Sequence, residues 1–534
     1  MRYHVVTMNE WLYPDSTVPE SPVRKVSLAA ARGTRAASQI LLTGLKPDVP
    51  LGVRFEPSRK GSPEPEVFQL VDVMVEANTG PVGFTVRNDR GESAEGYTTR
   101  RAPFRAYDAM KPLDRDIRTR GRTEAIYVSW RVPVDAEPGK HGGTLTVAAG
   151  DDSASVPITL EVFPATVPES GTFRLTNWFS VGIMAERHGL EMWSDAHWRM
   201  IRAYAKLMRR GRQTDFLLPM GLIDVKEEPK GTFSFSWGDV ERLIRMFFEL
   251  GFTHINGGHV AGRTEFDAPN FVLSAQPKLD AVSREGYTFL AQYLTNWWHF
   301  LRRNGWQHRT IQHVGDEPTK HSAKDYRILS GIVRKFMPGV PIIDAVELPD
   351  LAGAVDIWVP KNSYYEQHRD DFEAYRSLGD TIWCYTCCFP GGRYMNRLLD
   401  MPLIRTRQIH WGCFLYDIPG FLHWGFNHYR HFQNPFEMNC PDHGGGNNLP
   451  PGDTHIVYPG EDGPWGSVRL EAQAAGIEDY ELLRMLAETD RAKADGIVRS
   501  SVRGFKDSDE DPARFAAVHQ RLLEAVSEAV AMAE

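Results

Sequence analysis

Ile311-Gln312-His313-Val314-Gly315-Asp316-Glu317-Pro318 reads as a short apolar strand that runs into two adjacent carboxylates and is stopped by a proline. A helical segment follows at once, from about His321 to Phe336. A strand that ends in acids just before a loop and a helix is what a β/α barrel presents at the rim where its chemistry sits. Two carboxylates side by side repel each other, so their proton affinities are driven apart, leaving one proton donor and one standing anion. An exposed Asp-Glu pair capping the next helix is the plainer account of such a dipeptide. The pattern around it argues for the rim.

Working outward, strands alternate with helices on both sides of this stretch. Strands are expected at 173–180, 215–220, 254–260, 310–317, 341–346, 357–362, 381–386 and 420–426, and helices at 195–210, 239–250, 284–303, 402–410 and 468–486. Eight β/α pairs predict a (β/α)8 TIM-type barrel, a multi-domain reading in which the barrel spans 172–495. An open doubly wound sheet is the alternative, but no Gly-rich phosphate-binding turn follows the first strand. Upstream, Phe163-Pro164-Ala165-Thr166-Val167-Pro168-Glu169-Ser170-Gly171 reads as a compact linker and a domain boundary. Residues 1–165 hold short runs rich in β-branched and aromatic residues, such as Val67 to Val75 and Glu124 to Val132, separated by Gly/Pro turns. They predict an N-terminal all-β sandwich with an accessory, packing or glycan-binding role. Residues 496–534 read as a helical extension packed on the barrel's outside.

Composition narrows the partners. A formal charge of −8 is spread along the chain with no basic block, which disfavours nucleic acid and anionic membrane. Met1 to Pro14 has no apolar leader, and no stretch approaches about 18 consecutive apolar residues. As given, the chain reads as cytoplasmic; a secreted or periplasmic protein trimmed of its leader would read the same. The five cysteines lie at 384, 387, 388, 413 and 440, an odd number without the spacing of a disulfide framework. Cys384-x-x-Cys387 is half a zinc motif that no second Cys or His pair completes, so neither metal nor cofactor is expected. The 14 Trp and 18 Tyr, many in the second half, offer flat faces of the kind that stack on sugars, although most Trp simply fills core.

In such a barrel, the strand ends converge on one pocket. They would bring together Asn177 and Trp178, then His254, Asn256, His259 and Arg263, then His313, Asp316 and Glu317. Asn362, Tyr364, Tyr365, Trp383, Tyr385, Trp424 and Asn427 complete the set. Amides, histidines and two acids among aromatic faces suit a carbohydrate ring. His254 and His313 are equally well read as core histidines, and Trp383 and Trp424 as barrel filling. Most glycosidases draw their two carboxylates from different strands, so that they flank the bond. Neighbours on one strand instead suit a substrate-assisted reaction in which the sugar's 2-acetamido oxygen attacks the anomeric carbon. Glu317 would protonate the leaving oxygen and Asp316 would orient the acetamide N–H, with a tyrosine such as Tyr364 on the acetamide oxygen.

Several stretches carry a resemblance. They are Ile255-Asn256-Gly257-Gly258-His259-Val260-Ala261-Gly262-Arg263, Gly315-Asp316-Glu317-Pro318, Trp383 to Gly392 with Asn396-Arg397, Gly420 to Asn427, and Gly476-Ile477-Glu478-Asp479-Tyr480-Glu481. Together they resemble glycoside hydrolase family 123, the β-N-acetylgalactosaminidases built from a β-sandwich and a catalytic β/α barrel. The resemblance implies retaining, exo-acting hydrolysis of terminal β-linked GalNAc through an oxazoline, with Asp316 as stabiliser and Glu317 as acid/base. It makes the cysteine cluster a wall element. Asn256 stands where relatives are expected to carry an acid, and Gly452-Asp453-Thr454 is a loose match.

The rival readings are a glycosidase of the same fold with another sugar, a non-catalytic glycan-binding protein and a metal-dependent hydrolase. The last usually wants a His-x-His pair at the end of the first strand, where this chain has Asn177-Trp178-Phe179. The expected partner is a glycan or glycoconjugate, and the oligomeric state is left open.

Overall fold

The computed structural model describes residues 1–113, 117–347 and 349–533. Its first part holds nine strands: β1 (Arg2–Thr7), β2 (Val26–Arg32), β3 (Arg35–Thr43), β4 (Leu51–Pro57), β5 (Pro65–Val75), β6 (Phe104–Pro112), β7 (Thr123–Arg131), β8 (Gly139–Ala149) and β9 (Asp152–Thr166). They form two sheets, one with neighbours β1-β3-β7-β5-β6 and one with β2-β9-β8-β4. Ile40, Leu42, Ile126, Val128 and Trp130 from the first meet Leu145, Val147, Val156 and Ile158 from the second in a common core. The strands of the first sheet are also apolar on their other face, where Leu41, Leu70, Val73 and Tyr127 pack against Leu399, Leu403, Val468 and Ala472. Covered on both sides, β3 loses the polar alternation of a solvent-facing strand: eight of its nine residues are buried.

Beyond Pro168 strands and helices alternate. The strands are β10 (Arg174–Asn177), β11 (Asp215–Leu217), the hairpin β12 (Asp224–Glu228) and β13 (Thr232–Ser236), β14 (His254–Gly257), the short pair β15 (Ala261–Gly262) and β16 (Val272–Leu273), and β17 (Thr310–Gln312). Then come β18 (Ile343–Ala345), β19 (Ile357–Val359), β20 (Thr381–Ile382), β21 (Cys384–Tyr385) and β22 (Gly420–His423). Parallel pairing gives three groups, β10-β22-β21, β11-β14-β17 and β18-β19-β20. Single bonds run between the groups. Thr214 N donates to Leu175 O (3.1 Å), a bridge joins Gln312 to Ile342, and Tyr385 N donates to Pro360 O (3.0 Å).

The helices obey local rules. Arg284–Asn304 starts at Ser283, whose hydroxyl accepts from Gly286 N (3.0 Å), and stops at Gly305, whose φ of 73° suits glycine. It buries Phe289, Leu290, Tyr293, Leu294, Trp297, Phe300 and Leu301, the i, i+3, i+4 stripe of a helix lying on a core. No helix among the described residues is long and apolar enough to cross a membrane.

Two features tie the halves together. After a small hairpin of β23 (Asp442–Gly444) and β24 (Asn447–Asn448), strands β25 (Tyr458–Pro459) and β26 (Pro464–Ser467) extend the N-terminal sheet, with Gly466 opposite Met110 on β6. The terminal helix Pro512–Ala533 lies against both the helix Val468–Arg499 and β9.

Candidate active site

After β17 the chain passes through His313, Val314 and Gly315 before reaching Asp316 and Glu317. A Cβ on Gly315 would come within 2.5 Å of the Phe271 ring, so only glycine lets the chain pass there. Glu317 then takes a left-handed backbone conformation, φ 45°, which a residue with a branched or long side chain adopts only when its surroundings hold it.

Asp316 and Glu317 face a cavity of about 620 Å³, lined also by Trp178, Phe84, Phe266, Glu347, Lys361, Tyr385, Cys387, Cys388, Phe389, Trp424 and Asp453. Asp316 is exposed to this cavity and Glu317 is half-buried, yet protein crowds round both carboxyls. That crowding raises both proton affinities. For Asp316, desolvation is reinforced by Glu317 and Asp344, and its pKa is pushed well above the ordinary carboxylate range. For Glu317 the rise from desolvation is opposed by Lys361 and by the Tyr385 hydroxyl, which donates to Oε1. The Asp316 carboxyl has no hydrogen-bond partner among the described residues. Lys361 pairs with Glu347 at the wall, and the acids and thiol around it hold its ammonium charged against the pull of burial.

On the opposite wall the Trp424 indole N–H donates to both oxygens of Asp453, at 3.2 Å each. Burial pushes Asp453 up to about 7, against the opposing charge of Arg397. Phe84 reaches the cavity from the N-terminal half. Its ring lies 4.9 Å from Phe389, edge to face, and its backbone N–H donates to Cys388 O (3.2 Å).

Beneath the dyad, Asp344 organises a buried network. It accepts from His313 Nδ1 (2.8 Å), Val314 N (2.9 Å), Gly315 N (3.2 Å) and the Tyr326 hydroxyl (2.6 Å). His259 Nε2 lies 3.7 Å from the same carboxylate, and Trp178 sits edge-on over both imidazoles, at 5.1 and 5.6 Å. His259, His313 and Asp344 are the group among the described residues whose atoms converge as metal ligands do, within 4.8 Å. Asp344 Oδ2 takes three donors and Oδ1 one, which makes the carboxylate a hydrogen-bonded support under the Val314–Gly315 backbone, while His259 Nε2 and His313 Nε2 lie buried with no partner among the described residues.

Of the residues singled out from sequence, Asp316, Glu317, Tyr385, Trp178 and Trp424 border the cavity. His259 and His313 lie in the network below. Asn256 is wholly buried, with neither side-chain oxygen nor nitrogen partnered. Arg263 donates to the carbonyls of Asp316 (3.0 Å) and Glu317 (2.7 Å). The others are not brought there. His254 opens β14 instead of ending it, so its Nδ1 lies 3.9 Å from Asp215 at the far end of the strands. The Asn177 oxygen accepts from Arg397 (2.7 Å), Asn362 donates to Met395 O (2.9 Å) and Asn427 is tied to the Ser180 backbone. The Tyr365 hydroxyl donates to Glu373 (2.5 Å), Tyr364 stacks on His368, and Trp383 is buried against Gly420 and Arg174. Sequence reasoning passed over Glu347 and Lys361, although each lies two residues past the end of a strand and that position was the signal. For Phe84 no local signal existed.

A family described as "Glycoside hydrolase 123, catalytic domain" matches residues 178–486. Among solved structures, a family 123 glycoside hydrolase from Clostridium perfringens, reported for glycolipid glycan hydrolysis, has a TM-score of 0.75 at 15% identity, over 99% of this chain and 98% of that one. A GH39 β-xylosidase from Caulobacter crescentus gives a TM-score of 0.37 at 11% identity, over 60% and 72% of the two chains, too loose a likeness to bear on the fold. No curated protein matches in sequence.

Proposed function

Because the chain belongs to glycoside hydrolase family 123, and so is a glycoside hydrolase, we propose that it is a retaining, exo-acting β-N-acetylgalactosaminidase whose substrate supplies its own nucleophile. The substrate class would be a glycan, such as that of a glycolipid, ending in β-linked GalNAc. In this reading the three parallel strand groups close into one (β/α)8 barrel at 172–495, with the sandwich at 1–165 and the extension at 496–534. The bonds from Thr214 to Leu175 and from Tyr385 to Pro360, and the bridge from Gln312 to Ile342, support closure.

One observation carries the proposal: two carboxyls adjacent in the chain turn to the same cavity, both with raised proton affinity. A pair on one wall does not straddle a glycosidic bond as a nucleophile and an acid from separate strands do. The acetamide carbonyl oxygen of the sugar attacks C1 instead, and the bond from C1 to the leaving oxygen breaks as that oxygen takes the Glu317 proton. Asp316 accepts the acetamide N–H and stabilises the positive charge of the oxazolinium. Water then attacks C1 from the vacated side, gives its proton to Glu317, and reopens the ring with retention.

The proton starts in a useful place. In the free enzyme both carboxyls have raised proton affinity, so the pair is disposed to share a proton. An arriving amide N–H is a donor, which favours ionised Asp316 and moves the proton toward Glu317, where the leaving oxygen needs it. The Tyr385 hydroxyl, next to Glu317, would hold the acetamide oxygen, since Tyr385 borders the cavity and Tyr364 is not among its lining residues. Trp178 and Trp424 wall the sugar.

The test is a panel of β-GalNAc, β-GlcNAc and β-Gal 4-nitrophenyl glycosides, with a GalNAc-terminated oligosaccharide as the poor-leaving-group substrate. Hydrolysis should favour β-GalNAc and be inhibited by a GalNAc thiazoline. Glu317→Gln should lose about 10³-fold in kcat on the oligosaccharide and much less on the aryl glycoside. Near-normal turnover of the oligosaccharide by Glu317→Gln, or wild-type preference for β-Gal, would sink the proposal.

A further inference from the structure

The side chain of Arg263 spends its donors on backbone. Nη2 donates to the carbonyls of both Asp316 (3.0 Å) and Glu317 (2.7 Å), and Nη1 donates to Phe266 O. The guanidinium lies 4.9 Å from the Phe266 ring and 6.0 Å from Phe271, and Arg263 is not among the residues bordering the cavity. Phe271 is the ring packed against Gly315 on the other side of the same turn.

These contacts answer a specific need. The left-handed Glu317 turns two successive carbonyls toward one side, where their dipoles repel. The two N–H bonds of Nη2 bridge them, while Nη1 on Phe266 O and two aromatic rings hold the guanidinium plane. We propose that Arg263 is a positioning residue: it reads the Asp316–Glu317 backbone, not the sugar, and so fixes the direction in which the two carboxyls enter the cavity. The proposal rests on the acid/base reading of that pair.

A lysine has no second nitrogen to anchor on Phe266 O, so Arg263→Lys would hold the two carbonyls less firmly. Misplacement of a catalytic group by about 1 Å costs about 10²-fold in rate. Arg263→Ala is therefore expected to lower kcat about 10²-fold with KM changed by less than about 3-fold, and Arg263→Lys to fall between it and wild type. Guanidinium ion added to Arg263→Ala should restore part of kcat, which a variant damaged only in its packing would not allow.

The pH profile gives a second readout. The Arg263 charge lowers the proton affinity of Glu317, so removing it raises that pKa. A general acid works while protonated, and activity is lost as pH rises through its pKa. The alkaline limb of kcat should then move to higher pH in Arg263→Ala.

The measurement is steady-state kinetics on the GalNAc oligosaccharide with thiazoline binding by calorimetry, for wild type, Arg263→Ala, Arg263→Lys and Glu317→Gln. A raised KM and weakened thiazoline binding at unchanged kcat would make Arg263 a sugar contact and overturn the proposal, as would full activity of Arg263→Ala. If the alanine variant does not fold, wild-type kcat in Arg263→Lys overturns it equally. Unimpaired Glu317→Gln would instead defeat the acid/base reading, so the two failures remain distinct.

Discussion

Asp316 and Asp479 are carboxyls of one type in two regions, and their surroundings drive them in opposite directions. Asp316, at the cavity, has no hydrogen-bond partner among the described residues and acidic neighbours on several sides, and its proton affinity rises. Asp479 sits dry between helices, where burial alone would raise it, but Arg407 and His519 overcome that and hold it below the usual range. Arg407 grips it with two bonds, at 2.6 and 2.9 Å, while the Trp411 indole (2.8 Å) and His519 (3.1 Å) take what is left. A carboxylate supplied with partners is part of the scaffold. One denied them is kept ready for a substrate.

The sharpest way to break this comparison is to neutralise the deprived carboxyl. Asp316→Asn keeps the shape and removes the charge that would stabilise an oxazolinium. It should cost about 10³-fold in kcat, roughly 4 kcal/mol, while leaving thermal stability equal or improved at neutral pH. Kinetics on the β-GalNAc substrate and a melting curve check both halves. Loss of stability with intact turnover would place Asp316 with the scaffold.

The same contrast explains what could be read from sequence. Gly315-Asp316-Glu317-Pro318 announced itself because strand, acids and helix are contiguous, so its direction follows from local pattern alone. The run Gly476 to Glu481 looked equally distinctive, but its acids are anchors: Glu478 meets Arg212 at 2.9 Å, Asp479 meets Arg407, and Glu481 accepts from Thr172 N and Phe173 N. Sequence distinguishes acids at a strand end from acids on a buried helix only when the helix is known to be buried on all sides. His254 shows a related limit, since with a strand only four residues long, an error of that size exchanges one end for the other. The pairing of β26 with β6 and the reach of Phe84 into the cavity join segments more than 300 residues apart. Those contacts depend on how the two halves pack, which no local periodicity encodes.

A second test works on the satisfied side. Arg407 is buried, and its guanidinium also lies 5.0 Å from the Phe515 ring of the terminal helix. Arg407→Met keeps much of the volume but strands Asp479 with only Trp411 and His519. Removing one member of a buried ion pair costs about 3 to 5 kcal/mol, and the remaining donors put the expected loss near the lower bound, about 3. The sign with pH follows from the lowered affinity of Asp479. Its contribution is full above the ordinary carboxylate pKa, begins to fall below it, and is gone only once pH has passed through the lowered folded-state pKa. Urea midpoints of variant and wild type should therefore differ clearly at pH 7 and draw closer as pH falls below about 4. Activity per folded molecule should be unchanged.

Asp453 falls between the two classes, and it gives the smallest and most discriminating test. It borders the cavity yet is wholly buried, holds the Trp424 indole, and has a proton affinity raised to about 7. The folded state then binds a proton that the unfolded chain releases near pH 4, so stability falls as pH climbs from about 4 to about 7. Asp453→Asn keeps an acceptor for Trp424 and removes the buried anion. Its melting temperature should match wild type at pH 4 and exceed it at pH 8, by about 2 °C or more. If the gain is absent at pH 8, Asp453 is matched by charge as Asp479 is, and belongs to the scaffold. If the gain appears together with a raised KM for β-GalNAc substrates, Asp453 is a second deprived carboxyl, held unpaired for the sugar's hydroxyls on the wall opposite Asp316.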